Sequence, residues 1–278
     1  MSRLLIFGLG YTASSLAARL RGEGWHVVGT TRDGRAGTLR FDDAGAVEPE
    51  IAAATHVLSS VPPEGDDPVL ARYGDALAAS GAWLGYLSST GVYGDAGGAW
   101  VDETAAIGGG RRKERAAADA AWLGIGARVF RLPGIYGPGR SPIERVRDGK
   151  AHRTGIAGQV FSRIHVDDIV SGVIAGFDGP AGAYNLADER PCAQDEVIEY
   201  AAALIGLPSP PIVPLESLSP MARGFYAENR RVSAEKARRV LGWRPRYPDY
   251  RAGLRAVSAT TSPTPASAAP PADSVDQR

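Results

Sequence analysis

The chain has one cysteine, three lysines and no long apolar run, and each shortage removes a class of explanation. Cys192 alone cannot build an intramolecular disulfide framework or a cysteine-based metal site, and it suits a reducing cytoplasm. The four histidines, His26, His56, His152 and His165, show no metal-ligand spacing, so no metal is expected. No stretch approaches the roughly 20 apolar residues of a membrane span. The run Leu4-Leu5-Ile6-Phe7 after Arg3 stops at Gly8 and Gly10, without the hydrophobic length or cleavage site of a secretory signal. A soluble, cytoplasmic protein is expected. Charge of one sign is also missing. Thirty-one basic and 31 acidic residues cancel, so no global field draws in nucleic acid or an anionic membrane. Finally, none of the ten tyrosines has a lysine four positions on, since Lys113, Lys150 and Lys236 are the only lysines.

What is present reads as alternating strands and helices. At 278 residues the chain can hold one large domain, or a nucleotide-binding domain with a smaller one attached. Apolar runs predict strands at 4–7, 26–30, 55–60, 83–87 and 127–132, with helices over 14–20, 69–79 and 111–123 between them. Strand, glycine turn, helix, strand is a βαβ unit and implies a parallel sheet. Strands apolar throughout fit a sheet covered by helices on both faces. After Pro133 glycine and proline become frequent and the elements shorten: helices near 142–148, 167–177, 193–205 and 234–241, and a strand near 160–164. The expected architecture is α/β: a Rossmann-type doubly wound parallel sheet over residues 1–132, then a small C-terminal substrate-binding α/β subdomain over 133–257 with elements returning to the sheet. The Ser, Thr, Pro and Ala composition of 258–278 reads as a disordered tail.

Gly8-Leu9-Gly10-Tyr11-Thr12-Ala13 is the G-x-G-x-x-A form of the dinucleotide fingerprint, placed between a strand and a helix as it must be. Gly8 permits the tight turn, Gly10 lets the backbone approach a pyrophosphate, and Ala13 allows close helix–strand packing. The helix start, with Tyr11 and Thr12, offers N–H groups and partial positive charge. An NAD site usually places Asp or Glu at the end of the second strand. Here that strand runs Gly29-Thr30-Thr31-Arg32-Asp33. Thr31 does not repel a 2′-phosphate, and Arg32 can grip one in a bidentate manner, which favours NADP. Asp33 keeps NAD open, because a shift of one residue puts a carboxylate at the ribose. Arg32 as a solvated loop arginine is the plain alternative.

The apolar run 83–87 leads into Ser88-Ser89-Thr90-Gly91-Val92-Tyr93-Gly94. In a nucleotide-binding fold, a hydroxyl pair at the mouth of such a strand is where a carbonyl or alcohol substrate is held. Further along stand Arg131-Leu132-Pro133-Gly134-Ile135-Tyr136-Gly137-Pro138-Gly139, Ile164-His165-Val166-Asp167-Asp168-Ile169-Val170, Tyr184-Asn185-Leu186, Ser233-Ala234-Glu235-Lys236-Ala237 and Leu241-Gly242-Trp243-Arg244-Pro245. With the glycine fingerprint these pieces, in this order, resemble the extended short-chain dehydrogenase/reductase superfamily, which includes the nucleotide-sugar epimerases and dehydratases. The resemblance spans about residues 4–254.

The resemblance implies site roles. Ser89 sits where the family's substrate-binding Ser/Thr lies, Asp42 resembles the acid that reads the adenine amine, and Ser60 lies where the backbone passes the cofactor ribose. The family's Y-x-x-x-K, with an acid four residues later, is replaced. Arg115 stands at the lysine, Arg111 at the tyrosine, and Asp119 at the acid. Arg115 can still donate to ribose, but Arg111 cannot act as a general acid. Such replacement resembles the atypical subgroups. Tyr93 and Tyr136 remain as candidate proton donors, with a packing role as the alternative for Tyr93 and a strand-end cap as the alternative for Ser89. His165 reads as part of a hinge and Asp167 as a helix N-cap. Asp102-Glu103 reads as a solvated turn or a lid-ordering acidic pair. Lys150, His152 and Arg153 read as a solvated basic face or a phosphate contact. The expectation is an NAD(P)-binding oxidoreductase or epimerase, NADP favoured, acting on a polar small molecule such as a sugar or sugar nucleotide, as a monomer or homodimer. The alternative is a non-catalytic NADP-binding redox sensor.

Overall fold

The structure, a computed structural model, describes residues 2–110 and 113–261. The first half runs β1 (Arg3–Phe7), α1 (Tyr11–Gly22), β2 (His26–Thr31), β3 (Leu39–Arg40), α2 (Ala44–Ala53), β4 (His56–Ser59), α3 (Pro68–Ala79), β5 (Trp83–Ser89), β6 (Trp100–Val101), α4 (Lys113–Gly124) and β7 (Arg128–Leu132). The second half runs β8 (Gly134–Tyr136), α5 (Pro142–Arg147), β9 (Arg163–His165), α6 (Val166–Ala175), β10 (Gly182–Asn185), α7 (Gln194–Leu204), α8 (Pro220–Tyr226), β11 (Arg231–Val232), α9 (Glu235–Leu241) and α10 (Tyr250–Thr261). Seven strands form one parallel sheet in the order β10-β7-β5-β4-β1-β2-β3. The chain winds outward from β1 to β3 and then returns to β4 on the other side of β1. The C-terminal ends of β1 and β4 therefore flank the switch point, where α/β sheets leave a ligand crevice.

The unbroken apolar strands are explained by two cores. Leu4 and Ile6 face one side with Leu16 and Leu20 of α1 and Ile169 and Val173 of α6. Leu5 and Phe7 face the other with Ile51 of α2, Tyr73 and Leu77 of α3 and Trp122 of α4. Successive side chains point to opposite faces, and here both faces are covered. A third core packs α5, α7 and α10 through Ile143, Ile198 and Leu254.

The seventh strand, β10, is the element of the second half that returns to the sheet, pairing with β7 with Ala183 opposite Val129. Other elements depart from the expectation. The strand expected near 160–164 is β9, which pairs with β8 in a separate ribbon. Helix α2 was hidden by Pro49 inside it; Asp43 caps it by accepting from the Ala46 N–H (3.2 Å), and Val47 and Ile51 anchor it. The cap of α6 is His165, not Asp167: its Nδ1 accepts the Asp167 N–H at 3.2 Å. The expected tail is corrected at its start, since α10 runs through Thr261 and Val257 is buried on it. Residues 262–278 and Arg111 lie outside the described residues. Among the described residues no helix is long and apolar enough to cross a membrane.

Candidate functional site

The glycine turn lies at the switch point. Gly8 has φ +80°, and a Cβ there would meet the Val61 Cγ2 at 2.9 Å, so both conformation and space demand glycine. Its N–H donates to the Thr30 hydroxyl at 3.3 Å, and Ser60, just past β4, donates its N–H to the Phe7 carbonyl at 2.8 Å. The surroundings of Gly10 are the opposite. A Cβ there would meet nothing within 4 Å, and no side chain caps the first turn of α1. Thr12 and Ala13 are buried where α1 meets the sheet, and the Tyr11 hydroxyl donates to the Pro138 carbonyl at 3.0 Å, tying the turn to the loop after β8. An uncapped helix start beside open space is a ready anion site.

The end of β2 keeps Thr31 and Arg32 apart. The Thr31 hydroxyl lies 2.7 Å from that of Thr38 and accepts the Gly34 N–H at 3.0 Å. The Arg32 side chain is 93% exposed and only 3.7 Å from a Glu64 oxygen, a weak pair that a phosphate can displace. Asp33 lies 3.8 Å from Arg35, and its carboxyl is held below the usual range by hydrogen bonds that outweigh desolvation. Asp42 is taken by Arg40, which donates Nε and Nη2 to its two oxygens at 3.1 and 3.0 Å.

A cleft of ≈ 810 Å³ runs from this turn into the second half, lined by Tyr11, Thr12, Ser60, Ser89 and Arg115 among others. Ser89 accepts the Gly91 N–H at 3.1 Å, and among the described residues its own O–H donates no hydrogen bond. Arg115, on α4, donates Nη1 to the Tyr86 hydroxyl (3.1 Å) and the Leu87 carbonyl (3.5 Å), so its guanidinium is held at the end of the strand that carries Ser89. Four further arginines line the cleft that the sequence did not single out: Arg140, Arg145, Arg163 and Arg230. Of the expected basic cluster only His152 reaches it. Lys150 pairs with Asp148 at 3.0 Å, and Arg153 pairs with Glu199 and donates to the Pro210 carbonyl.

Beneath the cleft lies a polar row. Ser88, Arg131 and Asn185 stand in register across β5, β7 and β10. Ser88 donates to Asp119 at 2.6 Å; Asp119, fully buried, takes Arg131 Nε and Nη2 at 3.0 and 2.7 Å. Arg131 Nη1 donates to the Tyr93 hydroxyl (3.1 Å), which donates to Asn185 Oδ1 (2.7 Å). Asn185 closes the row by donating Nδ2 to the Ser233 carbonyl (3.0 Å) and its N–H to Glu103 (2.6 Å). These bonds satisfy groups that burial would otherwise make costly. They also correct two expectations. Tyr93 is no proton donor to the cleft: its hydroxyl is consumed in the row, and burial pushes it up to about 12. Glu103 is not solvated but plugs the end of β10, and burial raises its carboxyl. Tyr136 is equally withdrawn, its buried hydroxyl pressed against Gly253 and raised by burial and by Asp188.

No family model matches the chain. A 3-diazoavenalumate denitrifying reductase from Streptomyces is 30% identical over 141 residues, so the chain spans 45% of that relative's length and the match covers 45% of this chain. Protein YeeZ of Escherichia coli is 28% identical over 279 residues, covering 90% of this chain and 97% of YeeZ. Among solved structures, a functionally unknown conserved protein from Silicibacter pomeroyi is 42% identical with a TM-score of 0.83, covering 94% and 99% of the two chains. The human epimerase family protein SDR39U1 with NADPH (17% identical, TM-score 0.73, covering 92% and 99%) shares the fold. So does MoeE5 in complex with UDP-glucuronic acid and NAD (21%, 0.72, covering 91% and 97%). The chain shares the α/β fold of these solved structures, two of which carry NAD or NADPH.

Proposed function

We propose that the protein is an NADP(H)-dependent oxidoreductase acting on a polar small molecule held in the cleft. The glycine turn carries this reading: a crowded Gly8, an open Gly10 and an uncapped α1 at the switch point fit a dinucleotide pyrophosphate. Thr31 and Arg32 would hold a 2′-phosphate, and Ser60 and Arg115 would flank the ribose side. A bound nicotinamide supplies or takes the hydride. Ser89 orients the substrate oxygen with its hydroxyl, while Arg140 and Arg145 bring positive charge to the cleft wall. The Streptomyces relative is itself a reductase, which agrees with this reading.

A second reading, a non-catalytic NADP-binding redox sensor, is favoured by the burial of Tyr93 and Tyr136 away from the cleft. One experiment separates the two. NADPH is mixed with a panel of ketones, conjugated carbonyls and nucleotide sugars, and its absorbance is followed beside a binding titration. Oxidation with one class supports the enzyme. Tight binding with no oxidation across the panel leaves the sensor.

A further inference from the structure

The end of β5 gathers donors that hold negative charge but release no proton near neutral pH. The Ser89 O–H donates no hydrogen bond among the described residues. Arg115 is fixed by Tyr86 and Leu87 through Nη1, while its Nε and Nη2 make no hydrogen bond among the described residues, and the residue lines the cleft. Guanidinium stays charged at any working pH, so it stabilises an oxyanion without acidifying it. The hydroxyls that could serve as acids are withdrawn. Burial under Trp122 pushes Tyr86 up to about 12, Tyr93 belongs to the polar row, and Tyr11 donates to Pro138. On the opposite wall burial raises the Tyr226 hydroxyl, and Glu228 is paired with Arg230 at 2.9 Å.

We propose that Ser89 and Arg115 form an oxyanion site that stabilises charge without supplying a proton, selecting substrates whose reacting form is a delocalised oxyanion: quinones, enones and related conjugated carbonyls. An isolated alkoxide is about as basic as hydroxide, and it demands a proton as it forms. A phenolate-like anion, with a conjugate acid near about 10, can persist beside a guanidinium. Hydride addition to a conjugated acceptor forms one C–H bond and moves the π pair onto oxygen, oxidising the nicotinamide. The oxyanion then takes its proton from water. The redox use of the site rests on the proposed function; the oxyanion preference does not.

The test uses 4-nitrophenol, whose phenolate is coloured, titrated with pH in the presence of the whole protein without cofactor. The bound probe should ionise about one unit lower than the free probe, a tenfold preference for phenolate. Ser89→Ala should shrink the shift and Arg115→Gln should remove it, with circular dichroism and melting temperature reporting folding. Should Arg115→Gln unfold, Arg115→Lys, which keeps the charge, should retain part of the shift. No phenolate preference in the wild type, or an unchanged shift in the Ser89→Ala/Arg115→Gln double variant, overturns the site. So does loss of the shift in His152→Gln alone, because the imidazole would then be exchanging the proton. A second arm compares NADPH oxidation by menadione and by cyclohexanone. The quinone alone should react. Reaction with neither, while the phenolate preference stands, sinks the proposed oxidoreductase and leaves the oxyanion site.

Discussion

The strand ends on the two sides of the switch point treat polar groups in opposite ways. At the ends of β1 and β2 the protein leaves them free: α1 starts without a side-chain cap, Gly10 borders open space, and Arg32 stands in solvent. At the ends of β5, β7 and β10 it consumes them, in the row from Ser88 through Asp119, Arg131 and Tyr93 to Asn185. The first arrangement forgoes stability and is poised for a ligand. The second spends its hydrogen bonds on itself and supports the strand that presents Ser89. The glycine-turn side of the switch point is thus open, while the end of β5 rests on a buried polar floor.

Four measurements can break or sharpen this contrast. The largest effect is expected for Gly10→Val. The open space around Gly10 tolerates the side chain, so the fold should persist with an unchanged melting temperature while NADP(H) and NAD(H) binding both disappear from calorimetry. Retained binding would mean that the turn is only structural. On the consumed side, Asp119→Ala strands a buried Arg131 and should cost about 3–5 kcal/mol in denaturant unfolding. A loss below about 1 kcal/mol, the scale of an exposed pair, would show that the row is hydrated and not rigid.

Arg32→Ala should weaken NADP by about 1–3 kcal/mol and leave NAD nearly unchanged, the scale of losing a hydrogen bond to a charged group. Equal losses would remove the NADP assignment. A fourth effect is expected in the pH dependence of stability. Burial raises the Asp188 carboxyl to about 8 and Asp168 to about 6, against an ordinary 3.8. The folded state thus binds protons more tightly than the unfolded chain, so these groups stabilise most at low pH and the contribution fades as pH rises from about 4 to 8. Asp188→Asn should flatten that decline in melting temperature. An unchanged slope would place the Asp188 titration elsewhere.

The first half was legible because its signals are local. The run 4–7, the glycine spacing and the helical period of Leu16, Ala17 and Leu20 all lie within one βαβ unit, and each strand carries its own apolar signature. What escaped was non-local. Asp119 and Arg131 sit on different elements, and their pairing with Ser88 and Asn185 depends on a strand order that brings β10 beside β7. A signal did exist: Ser88, Arg131 and Asn185 are polar residues at the ends of otherwise apolar strands, and such residues must find partners. The arginines of the cleft come from four separate segments, so no window of sequence shows them as a cluster. Helix α2 was lost to Pro49, and the last turn of α10 to a composition that looks like linker.

The position of β10 carries one more consequence, for how the chain reaches its shape. The sheet's outermost strand beside β7 is synthesised some 50 residues after β7 itself, with β8, β9 and α6 between them. Until it arrives, Arg128–Leu132 presents a bare row of amides and carbonyls, the kind of edge on which chains pair with one another. A fragment ending at residue 132 would keep that edge permanently and leave Arg131 without its Tyr93–Asn185 connection. The two halves are therefore a single cooperative unit, sealed last at the edge farthest from the glycine turn.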